Sequence, residues 1–89
     1  MAWRVEVSVE VDRALGKLDA QHAKRILKFL HERVAKLADP RGIGKALRGP
    51  RMGEFWKYRV GDYRLICKIE DDRLLVLVLR VGHRKEIYR

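Results

Sequence analysis

An α+β fold is predicted, with two N-terminal helices packed on one face of a largely antiparallel four-stranded sheet, in the order β-α-α-β-β-β with a short C-terminal tail. Three observations lead to it. Valines recur at every second position near the N-terminus, apolar residues recur at every third and fourth position from Ala23 to Leu37, and alternation returns after Glu54. With 89 residues there is room for one core, so residues 1–89 are expected to form a single domain.

The first strand is expected within residues 2–11, where Val5, Val7, Val9 and Val11 oppose Arg4, Glu6, Ser8 and Glu10. Asp12 is placed to cap a short helix through about Leu18, with Ala14, Leu15 and Leu18 inward and Gly16 weakening it by about 1 kcal/mol. Asp19 is placed to cap a longer helix. Its Ala23, Ile26, Leu27, Leu30, Val34 and Leu37 form one apolar stripe, and Asp39-Pro40 stops it because the α region is disfavoured before proline. Residues 41–53 read as a basic loop, with Gly42, Gly44, Gly49, Pro50 and Gly53 interleaved with Lys45, Arg48 and Arg51.

Glu54 to Val60 is expected as the second strand, with Phe55, Lys57 and Arg59 on one side and Trp56, Tyr58 and Val60 on the other. Gly61-Asp62 makes a tight turn into a third strand, Tyr63 to Ile69, whose Arg64 joins Lys57 and Arg59 on the face free of helices. After the polar turn Glu70-Asp71-Asp72, the run Arg73 to Val81 is apolar on both sides, as suits a strand in the sheet interior. Gly82 is expected to end it, leaving residues 83–89 as a tail long enough for one helical turn.

Charge narrows the function. Lysine and arginine number 21 against 12 acidic residues, a formal net charge of +9, and residues 41–68 hold eight basic residues and two acidic ones. Such clustering favours a polyanionic partner. A lone cysteine, Cys67, excludes an intrachain disulfide, and the N-terminal alternation is not a secretory signal, so a cytoplasmic protein without a membrane segment is expected. His22, His31 and His83 lack metal-ligand spacing, and there is no GxGxxG or Walker sequence. Neither a metal nor a cofactor is expected.

The chemistry open to such a face is metal-independent RNA cleavage. Cations held close together repel one another unless an anion arrives, and a phosphodiester is such an anion. Arginine suits bidentate phosphate contact, whereas a lysine beside other cations approaches general-base character. RNA supplies its own nucleophile in the 2′-hydroxyl. The protein then needs a base for that proton, cations for the pentacoordinate phosphate and a donor for the departing 5′-oxygen.

The stretch W-K-Y-R-V-G-D-Y-R-L-I-C-K-I, residues 56–69, and the ending L-V-L-R-V-G-H-R-K-E-I-Y-R, residues 77–89, resemble the RelE/ParE superfamily of toxin–antitoxin toxins. The N-terminal elements and K-A-L-R-G, residues 45–49, also fit. The resemblance implies a ribosome-dependent mRNA endonuclease that cuts messenger in the A site and stops translation. It also implies a RelB-like antitoxin as partner in a hetero-oligomer. By the same resemblance Lys57 is the preferred general base, Arg59 stands where RelE toxins carry a second basic residue, and Arg64 matches the arginine that stabilises phosphate charge. Arg84 matches the arginine assigned to charge stabilisation or leaving-group protonation, and Tyr88 the aromatic that stacks on a base or orients the attacking hydroxyl. His83 replaces a lysine of the best-known sequence. It is read either as the general acid, since imidazole donates protons readily near neutral pH, or as the residue that orients the tail. Lys45, Arg48 and Arg51 are expected to bind and steer RNA. The alternative within the superfamily is a ParE-type inhibitor of DNA gyrase without nuclease chemistry.

Overall fold

A computed structural model describes residues 3–47, 55–83 and 85. The elements are β1 (Arg4–Val7), α1 (Val9–Lys17), α2 (Ala20–Phe29), β2 (Lys45–Ala46), β3 (Phe55–Val60), β4 (Tyr63–Glu70) and β5 (Leu75–His83). The described strands form one five-stranded sheet in the order β1-β5-β4-β3-β2. The expected α+β class and two helices are present, but the sheet has a fifth strand and is mixed, because β1 runs parallel to β5.

The first strand is shorter than its valine alternation suggests. Ser8 has extended backbone, and its hydroxyl accepts a hydrogen bond from Val11 N at 3.1 Å, so the helix starts at Val9 instead of after Asp12. Val11 and Leu15, four residues apart, are buried, while Val9 is 71% exposed. Two periods coexist in this stretch, and the cap decides between them. Asp19 caps α2 as expected by accepting from Gln21 N. A single wider turn, Leu30–Val34, then follows α2, with Ala35 N bonding Leu30 O at 2.9 Å. It keeps Ile26, Leu30 and Val34 fully buried.

The helices cover one sheet face. Ile26, Leu30, Val34, Val11 and Leu15 pack on Tyr58, Val60, Leu65, Cys67, Ile69, Val76 and Val78. Between β3 and β4, Gly61 takes φ +60° as the first residue of a two-residue loop, the position at which a II′ hairpin turn requires glycine. β5 does not end at Gly82, because its ladder with β4 continues to His83 opposite Tyr63. Burial pushes the Cys67 thiol up to about 12, so it acts as packing and not as a nucleophile.

The segment between α2 and β2 is tied to the core by Tyr58, whose hydroxyl donates to Pro40 O at 2.7 Å in a buried bond. Nearby, Arg41 holds Asp71 through two bonds of 2.9 Å, and this contact keeps the Asp71 carboxyl below its ordinary range. Tyr58→Phe should cost about 1–3 kcal/mol in urea denaturation, because the Pro40 carbonyl loses its donor. Burial raises the Tyr58 phenol above its ordinary 10.0. Its contribution is therefore whole below the unfolded phenol's pKa and lost as pH rises beyond it, so the wild-type advantage over Tyr58→Phe should shrink above about pH 10. A gap that stays constant to pH 11 would remove this role.

Candidate nucleic-acid interface

The face opposite the helices carries the basic side chains, and the strand register assembles them. Lys45 of β2 stands opposite Lys57 of β3, and Arg59 of β3 stands opposite Arg64 of β4. Directly opposed like charges destabilise a sheet. Here two such pairs lie side by side around a cavity of about 260 Å³ lined by Gly44, Lys45, Lys57, Arg59 and Arg64. Among the described residues no carboxylate lines it. Ion pairs among the described residues involve Arg4, Lys28, Arg41 and Arg73, and none involves Lys45 or Arg59.

Lys45 enters this group through a strand where the sequence alone suggests a loop. Its two residues pair with Lys57 and Trp56, and Trp56 Nε1 donates to Ile43 O at 2.7 Å. Gly44 makes the approach possible. It has φ +81°, and a Cβ there would lie 2.5 Å from Lys57 O and 2.8 Å from both Trp56 Nε1 and Tyr58 Cδ1.

Arg64 is in the cluster, although it is not the solvent-facing cation expected from alternation. It is 7% exposed, and its Nη1 donates to the carbonyls of Gly61 and Tyr63 at 3.2 and 3.1 Å. Those bonds hold the guanidinium in place while it lines the cavity. Lys57 is half-buried and Arg59 exposed. A buried, hydrogen-bonded arginine beside a half-buried lysine suits a phosphate oxygen and a proton to be removed.

His83 lies elsewhere. It pairs with Tyr63 on the helix-covered side of the sheet, and the two rings meet edge to face with centroids 5.9 Å apart. The ring of His22 of α2 also meets Tyr63, tilted by 50° with centroids 5.3 Å apart. His83 Nδ1 accepts from Lys85 N at 3.3 Å, which suits orientation of the following segment. The resemblance groups His83 with Lys57, Arg59 and Arg64, and the structure does not bring them together. Arg48, Arg51, Arg84 and Tyr88 lie outside the described residues.

Arg80 joins the basic face without having been expected there from the sequence. It shares a row with Lys57 through Ile66 of β4 and is exposed. Its signal is a single charge in the run from Leu74 to Val81. Among the described residues, no group of three or more His, Cys, Asp or Glu is placed to hold a metal ion, and no helix is long and apolar enough to cross a membrane.

Residues 5–88 match the family model described as ParE toxin of type II toxin-antitoxin system, parDE. Toxin RelG of Mycobacterium tuberculosis is 34% identical over 89 residues, covering 100% of this chain and 99% of that protein. In the crystal structure of the toxin–antitoxin complex RelBE2 from the same organism, one chain is similar at TM-score 0.84 and 28% identity, over 94% of this chain and 93% of that one. A chain of the archaeal RelE-RelB complex from Pyrococcus horikoshii is similar at TM-score 0.74 and 27% identity, over 94% and 97%.

Proposed function

This chain belongs to the RelE/ParE superfamily of type II toxin–antitoxin toxins, and from that premise we propose that it is a ribosome-dependent mRNA endonuclease, restrained by a RelB-like antitoxin. The observation that carries the reading is the cavity walled by the opposed pairs Lys45–Lys57 and Arg59–Arg64, which no carboxylate of the described residues lines. Like charges opposed across strands lower sheet stability, and a phosphodiester entering the cavity offsets that cost.

In the proposed reaction the scissile phosphate binds between Arg59 and Arg64. Lys57 removes the proton of the 2′-hydroxyl, whose oxygen attacks the adjacent phosphorus. The P–O5′ bond breaks as the departing oxygen takes a proton, leaving a 2′,3′-cyclic phosphate and a 5′-hydroxyl. Arg64, fixed by two backbone carbonyls, stabilises the charge on the pentacoordinate phosphate without reorganising. Lys45 holds the flanking backbone. Arg84 and Tyr88 stay assigned to the leaving group and to base stacking, and Arg48 and Arg51 to RNA steering, by the sequence resemblance.

His83 is assigned to positioning, because its ring is packed on Tyr63 across the sheet from Lys57. His83→Ala should therefore slow cleavage equally on a normal phosphodiester and on one whose bridging 5′-oxygen is sulfur, since a thiolate leaves without a proton. Slowing confined to the oxygen substrate would make His83 the general acid.

The antitoxin proposal draws on the similar solved chains, which belong to toxin–antitoxin complexes. The family model's ParE description favours a second reading, inhibition of DNA gyrase without nuclease chemistry. Primer extension on mRNA in a reconstituted translation system, beside a gyrase supercoiling assay, separates the two. A-site cleavage with normal supercoiling is the expected result. Intact messenger with inhibited supercoiling would replace the endonuclease reading with the other.

A further inference from the structure

Arg80 owes its place on the basic face to an irregularity. Val76 and Val78 are fully buried beneath the helices, so strict alternation along β5 would aim residue 80 into the core. The ladder with β4 shifts instead. Ile66 stands opposite Arg80 while the next residue, Cys67, stands opposite Val78, leaving Leu79 as an extra residue on β5. The bulge reverses the parity: Val81 packs against the core, and Arg80 is exposed on the other face.

Ser8 holds this bulge. Its backbone N–H donates to Val78 O at 2.9 Å, and its hydroxyl donates to Leu79 O at 3.3 Å while accepting from Val11 N. One side chain thus starts α1 and occupies a carbonyl at the bulge. Lys45, Lys57, Ile66 and Arg80 then occupy one row across β2, β3, β4 and β5, a span of about 14 Å at the usual strand spacing. The half-buried Ile66 is an apolar step between the Lys57 cavity and Arg80. No ion pair of the described residues involves Arg80.

We propose that Arg80 forms a second phosphate subsite, taking an RNA phosphodiester beyond the one held at the Lys57 cavity, and that Ser8 is a positioning residue for it through the Leu79 bulge. The proposal rests on the RNA-cleaving reading and adds the direction in which the strand runs, across the sheet from β2 towards β5.

The test uses the full chain and a short single-stranded RNA made uncleavable by 2′-methoxy groups, with affinity measured by anisotropy over a range of salt. Each phosphate contact on a single strand contributes about 0.7 to the slope of log affinity against log salt. Arg80→Ala should lower the slope by about that amount, and Arg80→Lys should keep it. Ser8→Ala should lower the slope partway and Ser8→Thr restore it, while Ser8→Ala adds nothing in an Arg80→Ala background. An unchanged slope in folded Arg80→Ala, or a wild type without salt-dependent affinity, would overturn the subsite. A Ser8→Ala variant with lower thermal stability and an unchanged slope would reduce Ser8 to a helix cap and overturn its positioning role. The cleavage assay stays separate. A wild type with an Arg80-dependent slope that cuts no messenger would sink the endonuclease reading and leave the subsite standing.

Discussion

Lys57→Ala is expected to slow single-turnover cleavage of mRNA on the ribosome by about 100- to 10,000-fold, the usual range for loss of a general base. The geometry suits that role better at Lys57 than at Arg59. Lys57 is half-buried in the cavity wall, whereas Arg59 is exposed and carries a planar guanidinium fork suited to bidentate phosphate contact. Alanine also removes one member of the Lys45–Lys57 opposition, so thermal stability should not fall in step with activity. The pH–rate profile supplies the second readout. With its base gone, the variant depends on hydroxide, and its rate should keep climbing at pH values where the wild type has levelled. Profiles of identical shape would remove Lys57 from the base role, and a matching fall in melting temperature would make it structural.

Gly44→Ala is expected to have the largest effect on stability. The left-handed backbone at φ +81° costs a side-chain-bearing residue about 1–2 kcal/mol. The new Cβ also meets Lys57 O at 2.5 Å, and a backbone carbonyl in a sheet cannot yield as a flexible side chain would. Relief requires β2 to draw away from β3, which strains the bond from Trp56 to Ile43 and takes Lys45 out of the cavity. A loss of about 3 kcal/mol or more is expected, lowering the melting temperature by about 10 °C or more in a domain this small. Cleavage should fall with it even when assayed well below the transition. Gly16→Ala is the control. In α1 a Cβ on Gly16 would meet nothing within 4 Å, so this substitution should gain about 0.5–1 kcal/mol. Equal melting temperatures for Gly44→Ala and the wild type would show that β2 does not depend on the glycine.

Much of the architecture was legible because it is written in neighbouring residues. The stripe Ile26, Leu30, Val34 marks one helix face by spacing alone, Asp19 caps α2 through a residue two positions away, and Gly61-Asp62 closes β3 on β4 with a loop whose conformation only glycine takes easily. The same hairpin puts Lys57, Arg59 and Arg64 on one face by alternation, and the basic excess between residues 41 and 68 is visible in the sequence itself. Each inference needs only a few consecutive residues.

What the tertiary structure alone decided depends on segments far apart in the chain. The parallel pairing of β1 with β5 joins strands far apart in the chain, and two residues, Lys45 and Ala46, become a strand only because Trp56 and Lys57 offer them an edge. Arg64 reads as an exposed cation and is buried, since the carbonyls of Gly61 and Tyr63 satisfy its guanidinium. His83, which the resemblance groups with Lys57, packs on Tyr63 on the helix-covered side of the sheet, and Arg80, to which sequence reasoning assigns no role, reaches the basic face. One extra residue at Leu79 reverses inside and outside for everything after it on β5. Its carbonyl is met by Ser8 at the far end of the chain. Side-chain period is local, so the sequence by itself determined α2, the β3–β4 hairpin and the faces they present, but neither β2 nor the start of α1. Register and parity come from the contact between strands, and only the folded sheet decided which cations share a site.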